Sequence, residues 1–193
     1  MSEINVNKEF SSLGSKALIL AILEIFFLLF MLLLFGLLFM AIFIIILLIV
    51  IMVFRFLFAG ILKKANKVIN NVRLDQCKSK IISSTILFFI GNFFFMIGFL
   101  GFAALLAQSS ATFYQTFPLV ICLIIGIILI FISGFIEYQA WDRLEIFFGE
   151  NISSFPPSIA KSGKSGSTLL KIGGIMNITI ILVFIGSILR IIG

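Results

Sequence analysis

Along this chain, apolar and polar positions fall into long blocks rather than a short alternation. Four apolar blocks, at about 17–59, 81–107, 117–137 and 168–193, are separated by segments that gather most of the charge. Each of the last three blocks has about the length of one transmembrane helix, near 20 residues with some tilt. The first block is different. Ala17 to Phe54 spans 38 residues, a helix of roughly 57 Å at ~1.5 Å per residue. The hydrocarbon core of a bilayer is only ~30 Å thick, and tilt absorbs only part of such a mismatch. Two arms turning near Phe35-Gly36 fit the thickness better, because Gly36 can adopt the positive φ of a tight turn. The expected fold is therefore all-α, a polytopic transmembrane helical bundle forming one membrane domain over 1–193. Five spans, near 17–34, 37–59, 81–107, 117–137 and 168–193, are favoured over the four that result if 17–59 is one long helix.

Charge placement gives an independent vote on the number of crossings. The segment 60–80 carries Lys63, Lys64, Lys67, Arg73, Lys78 and Lys80, opposed only by Asp75. An excess of Lys and Arg marks the cytoplasmic side. With five crossings, Arg190 is the one basic residue left outside. With four, the amino terminus changes sides and takes Lys8 and Lys16 with it. Five spans put the amino terminus in the cytoplasm of a cell-membrane protein and the carboxyl terminus outside.

The segments between spans have patterns of their own. Ile61, Ala65, Val68, Ile69 and Val72 recur at helical spacing between the lysines, predicting a basic amphipathic helix over 60–76 lying along the membrane surface. The six basic residues of segment 60–80 serve as an orientation signal, or alternatively recognise an anionic headgroup or a partner. Thr116 before Pro118 suits a helix start. The segment 138–167 is the largest polar connection and is expected to be a cytoplasmic loop. Within it, Trp141, Leu144 and Phe148 share a helical face, and Pro156-Pro157 with the following Gly and Ser residues predict a break and a flexible stretch. Its "SIAKSGKS" ends like a phosphate-binding loop but has Ser158 where Gly is needed, with no preceding strand. No nucleotide or nucleic-acid partner is expected.

Composition narrows the chemistry. The chain is 62% hydrophobic and 11% charged, with a mean hydropathy of +1.30, whereas soluble domains carry roughly 25% charged residues. It contains no histidine and two cysteines, Cys77 and Cys122. The commonest general base and metal ligand is thus missing, and no metal site, cofactor or disulfide is expected. Polar residues inside the spans are the remaining candidates, and Glu24 stands first. A carboxylate there costs ~2.5–3.5 kcal/mol at a helix centre and is by default a functional hypothesis. Glu137 ends the fourth span and is expected to meet water beside Tyr138. Asn92, Asn177, Thr179 and Ser133 are candidates for hydrogen bonds between helices. Gly91, Gly98 and Gly101 in the third span, and Gly126 and Gly134 in the fourth, would let helix backbones approach closely.

The order of these features, from "SLGSK" through "AWDRLEIFF" to the closing "LLKIGGIMNITIILVFIGSILRIIG", resembles small archaeal multi-span integral membrane proteins of a family of unknown function. That resemblance covers most of the chain, is specific mainly at Leu169 to Gly193, and implies no activity. The resulting expectation is a non-enzymatic structural or accessory component of a membrane assembly. Its partners would be the lipid bilayer and a membrane protein or a second copy. The alternative is a small transporter or channel using Glu24.

Overall fold

The computed structural model describes residues 40–106 and 112–192, together with residues 16, 19, 20, 22 and 23. Four long helices make up the described chain: α1 (Met40–Ile69), α2 (Val72–Leu106), α3 (Phe113–Glu150) and α4 (Pro157–Ile192), with a short 3-10 turn at Ile152–Ser154. The chain is an all-α helical bundle. Three stretches, Ile44–Ile69, Val72–Leu105 and Tyr114–Glu150, are long and apolar enough to cross a membrane. The span placed at 17–34 and the turn placed at Gly36 lie outside the described residues.

The helices are longer than their apolar blocks. With 30, 35, 38 and 36 residues, they run roughly 45 to 57 Å at ~1.5 Å per residue, well beyond a ~30 Å hydrocarbon core. The surplus lies at one end, where the polar connections of the sequence turn out to be helix. Segment 60–76 is not one surface helix. Residues 60–69 continue α1, and α2 begins at Val72 after a two-residue turn. Asn70 takes a left-handed φ of 52°, which Asn tolerates better than most residues. Its N–H donates to the Asn66 carbonyl at 2.8 Å, and the Asn71 N–H donates to Asn66 Oδ1 at 2.8 Å. Asn71 Oδ1 then accepts the Arg73 N–H at 2.8 Å, capping α2. This break explains why Ile61 and Ala65 are buried while Val68 and Val72 are exposed.

The expected loop 138–167 is likewise two helices joined at a corner. α3 runs to Glu150, and Asn151 closes it with its backbone and side-chain N–H groups both on the Phe147 carbonyl, at 3.1 and 2.8 Å. Pro156 and Pro157 do not break a helix but start one. The Pro156 carbonyl accepts from Ile159 and Ala160, and Pro157 takes the first helical position, where its missing N–H costs nothing. The "SIAKSGKS" stretch and its Gly/Ser neighbours are accordingly the first turns of α4 rather than a flexible linker. Gly163 there passes so close to Phe148 that a Cβ would lie 2.5 Å from the ring. At the other end, α3 starts at Thr112, whose N–H donates to Gln115 Oε1 at 3.1 Å. That start is a turn earlier than Thr116-Pro118 suggests, so Pro118 sits inside the helix.

Burial follows the solvent. Leu62, Ala65, Leu74, Cys77, Ile81, Ala140, Trp141, Leu144, Phe147, Phe148, Phe155 and Ala160 form a continuous buried core at the polar end. Phe155 seals the corner, its ring 5.9 Å from both Phe147 and Phe148. The four helix ends thus build a packed head about 20 Å tall, from some 13 residues of each helix. The apolar half has the opposite character: Ile90, Phe93, Ile97, Ile121, Ile124, Ile128, Phe131 and Phe135 are exposed, as side chains bathed in acyl chains would be. There α2 and α3 hold together by close approach. A Cβ on Gly126 would lie 2.5 Å from the Phe95 nitrogen, and one on Gly98 2.7 Å from the Leu119 carbonyl. Gly126→Ala should therefore cost about 1–3 kcal/mol, the range for overpacking. Gly166→Ala, with nothing within 4 Å, should gain up to ~1 kcal/mol of helix propensity. Thermal unfolding in detergent reads both, with melting temperatures moving in opposite directions.

Candidate functional site

Among the described residues, a buried polar cluster joins three helices where the apolar half meets the head. Arg55 of α1 is 1% exposed and Glu137 of α3 is 3% exposed. Arg55 Nη2 donates to Glu137 Oε2 at 2.8 Å. Trp141, one turn further along α3, donates its Nε1–H to Glu137 Oε1 at 3.2 Å. The Arg55 guanidinium lies over the Phe88 ring of α2, 4.9 Å from its centroid, an arrangement that favours the cation electrostatically. Phe58 of α1 adds an edge contact to Trp141 at 5.2 Å. One turn before Glu137, Ser133 Oγ donates to the Ser84 carbonyl across the α2–α3 contact at 2.8 Å. Glu137 therefore does not meet water; both of its oxygens are engaged inside the bundle.

The reason is geometric. α1 and α3 run in the same direction, and Arg55 and Glu137 each stand roughly four turns before the last residue of their helix, Ile69 and Glu150. The two opposite charges are thus at one depth. Removing either partner leaves a buried charge unbalanced, at a cost of about 3–5 kcal/mol, whereas replacing both with apolar residues can be neutral.

A second cluster lies on the outside of the head, between α3 and α4. Lys171 Nζ sits 2.7 Å from Asp142 and 3.2 Å from Glu145, and over the Tyr138 ring at 5.3 Å. Thr168 Oγ1 donates to Glu145 Oε1 at 3.1 Å. Asp142, Glu145 and Lys171 line an open groove of about 460 Å³ with Ile146, Gly149, Glu150 and Lys164. Glu150 itself faces Arg73 at 3.5 Å. Asp142 and Glu145 are thus occupied as the counter-charges of Lys171.

The remaining candidates separate. Glu24 lies outside the described residues, as do the side chains of Asn177 and Thr179. Asn92 is buried, but its Nδ2–H donates to the Phe88 carbonyl of its own helix at 2.8 Å, so it does not bridge helices; Ser133 does. The six basic residues do not form one patch, because the Asn70 turn divides them. Arg73 faces Glu150, Lys78 bonds Asp75, and Lys80 bonds Gln139 on α3. Lys63, Lys64 and Lys67 stay exposed on α1. Cys77 is part of the head core rather than a basic loop. Among the described residues, no group of three or more acidic or cysteine side chains converges as a metal site would require.

No protein-family model, curated protein or solved structure matches this chain.

Trp141 is the single tryptophan of the chain, so its emission reports directly on the cluster. Arg55→Met alone should lower stability by about 3–5 kcal/mol. Arg55→Met combined with Glu137→Met should recover most of that loss. Thermal unfolding followed by Trp141 emission measures both alongside Glu137→Met, and a double-variant loss equal to the sum of the two single losses would mean the pair is not coupled.

Proposed function

We propose that this chain is a multi-pass membrane protein acting as a non-enzymatic structural or accessory component of a membrane assembly. In this reading it crosses five times. One span precedes α1, and the apolar parts of α1 to α4 supply the other four. The head lies in the cytoplasm with the amino terminus, and the carboxyl terminus is outside. The partners are the bilayer itself and either another membrane protein or a second copy of the chain.

One observation supports the reading: among the described residues, Glu137, Trp141, Ser133 and Asn92 bond to partners within the bundle. Glu137 is shared between Arg55 and Trp141, Ser133 holds the Ser84 carbonyl, and Asn92 holds the Phe88 carbonyl. A transport path needs polar groups that meet water and exchange partners. These instead fix the positions of helices. The packed head gives such a component a rigid surface outside the bilayer, and the ion pairs on that surface hold α4 to α3 rather than forming a reactive acid–base set.

Purification of the full chain in mild detergent, with native mass and identification of co-purifying chains, tests the role. A stoichiometric membrane partner or a defined homo-oligomer is expected. A homogeneous monomer without partners that moves solute in vesicles would overturn the proposal. Topology is tested separately with a cysteine at position 36, in a background carrying Cys77→Ala and Cys122→Ala. Labelling by an impermeant maleimide from outside is the five-span result. Complete protection, with an externally labelled Ser2→Cys, is the four-span result.

A further inference from the structure

The exposed face of α1 changes character once along its length. Ile45, Ile46, Ile49, Val53, Phe56 and Leu57 are all exposed, and their spacing puts them on one side of the helix. The same side continues through Gly60 to Lys63, Lys64 and Lys67, all exposed as well. At Gly60 the face is open, since an added Cβ would find nothing within 4 Å. Each step from Leu57 to Gly60, and from there to Lys63 and Lys64, is about one helical turn, or ~5 Å. The headgroup layer on one side of a bilayer is roughly 5–7 Å deep. If acyl chains lie against Phe56 and Leu57, the phosphates lie at Gly60 and the first two lysines, with Lys67 at the watery edge.

Four of the other basic residues of the head are committed. Arg73, Lys78 and Lys171 pair with carboxylates, and Lys80 bonds Gln139. Among the described residues, no carboxylate pairs with Lys63, Lys64 or Lys67. Three cations with no carboxylate partner among the described residues therefore stand directly below an exposed apolar stripe, separated from it by Gly60, where an added Cβ would meet nothing within 4 Å.

We infer that the outer face of α1 around Gly60 binds an anionic phospholipid of the adjoining leaflet. Its phosphate sits in the Gly60 notch between Lys63 and Lys64, Lys67 neutralises the rest of the headgroup, and its acyl chains lie along Val53, Phe56 and Leu57. Lysine suits this task because its long stem packs along the apolar surface while the ammonium reaches the headgroup plane. The inference needs α1 to cross a bilayer but not the accessory role, so the two fail separately.

The test uses the full chain in mild detergent, titrated with phosphatidylglycerol or phosphatidylcholine of identical acyl chains and read by native mass spectrometry. Wild type should retain phosphatidylglycerol in preference, on the order of tenfold, as a few basic residues beside an anionic headgroup provide. Lys63→Gln, Lys64→Gln and Lys67→Gln together should bring the two lipids to parity. Gly60→Leu should lower phosphatidylglycerol retention with the lysines intact. Lys161→Gln with Lys164→Gln, exposed on α4, should leave the preference unchanged. Unaltered Trp141 emission certifies that each variant is folded. No preference in wild type, a preference that survives the triple substitution or Gly60→Leu, or an equal loss in the α4 control would overturn the site.

Discussion

The described helices are longer than a bilayer is thick, and three of them are apolar enough to cross one, so a helix seated there would have to be stable in two solvents along one continuous length. Water supplies a hydrophobic driving force only at the polar end, and that is where the aromatic and aliphatic core is found, from Leu62 to Phe155. In hydrocarbon that force is absent, and association depends on packing and on hydrogen bonds. The apolar half meets this with the close backbone contacts of Gly98 and Gly126 and the Ser133–Ser84 bond. The Arg55–Glu137 pair stands at the join between the two regimes. It ties α1 to α3 through long side chains, while α2 and α3 make the closest backbone contact.

The two regimes also divide the labour of the polar residues. Inside the bundle, Glu137, Trp141, Ser133 and Asn92 satisfy one another or a nearby carbonyl, as buried polar groups must. On the head, Lys171 holds Asp142 and Glu145, but such pairs near water contribute little individually. They set the register of α4 on α3 more than they stabilise it. Gly163 beneath Phe148 does the same by shape.

Much of the architecture was legible in the sequence. The apolar blocks locate the membrane-competent helices, and the buried face of Trp141, Leu144 and Phe148 follows from spacing alone. The small residues of α2 and α3 do allow close approach. Where the reading departed from the structure, a local signal was outweighed by its context. Asn70-Asn71 ended a helix that the periodicity of Ile61 to Val72 carried through, because a left-handed Asn needs neither Gly nor Pro to make a turn. Pro156-Pro157 read as a break, although Pro at a first helical position is a start. Nothing local to Glu137 marks it as buried, because its partner is 82 residues away. A lone Arg55 amid Phe and Val was the available signal, and it becomes informative only when its depth is compared with that of Glu137.

The packed head has a mechanical consequence. In a bilayer, with the polar end in water, four helix ends locked together could not be drawn into hydrocarbon one at a time, since each would expose the aromatic core it shares with the others. The head therefore fixes where the bundle sits relative to one membrane face. Hydrophobic mismatch with a thinner or thicker bilayer must then be absorbed at the opposite ends of the helices, or by the lipids themselves, leaving the surface presented to water at a constant height.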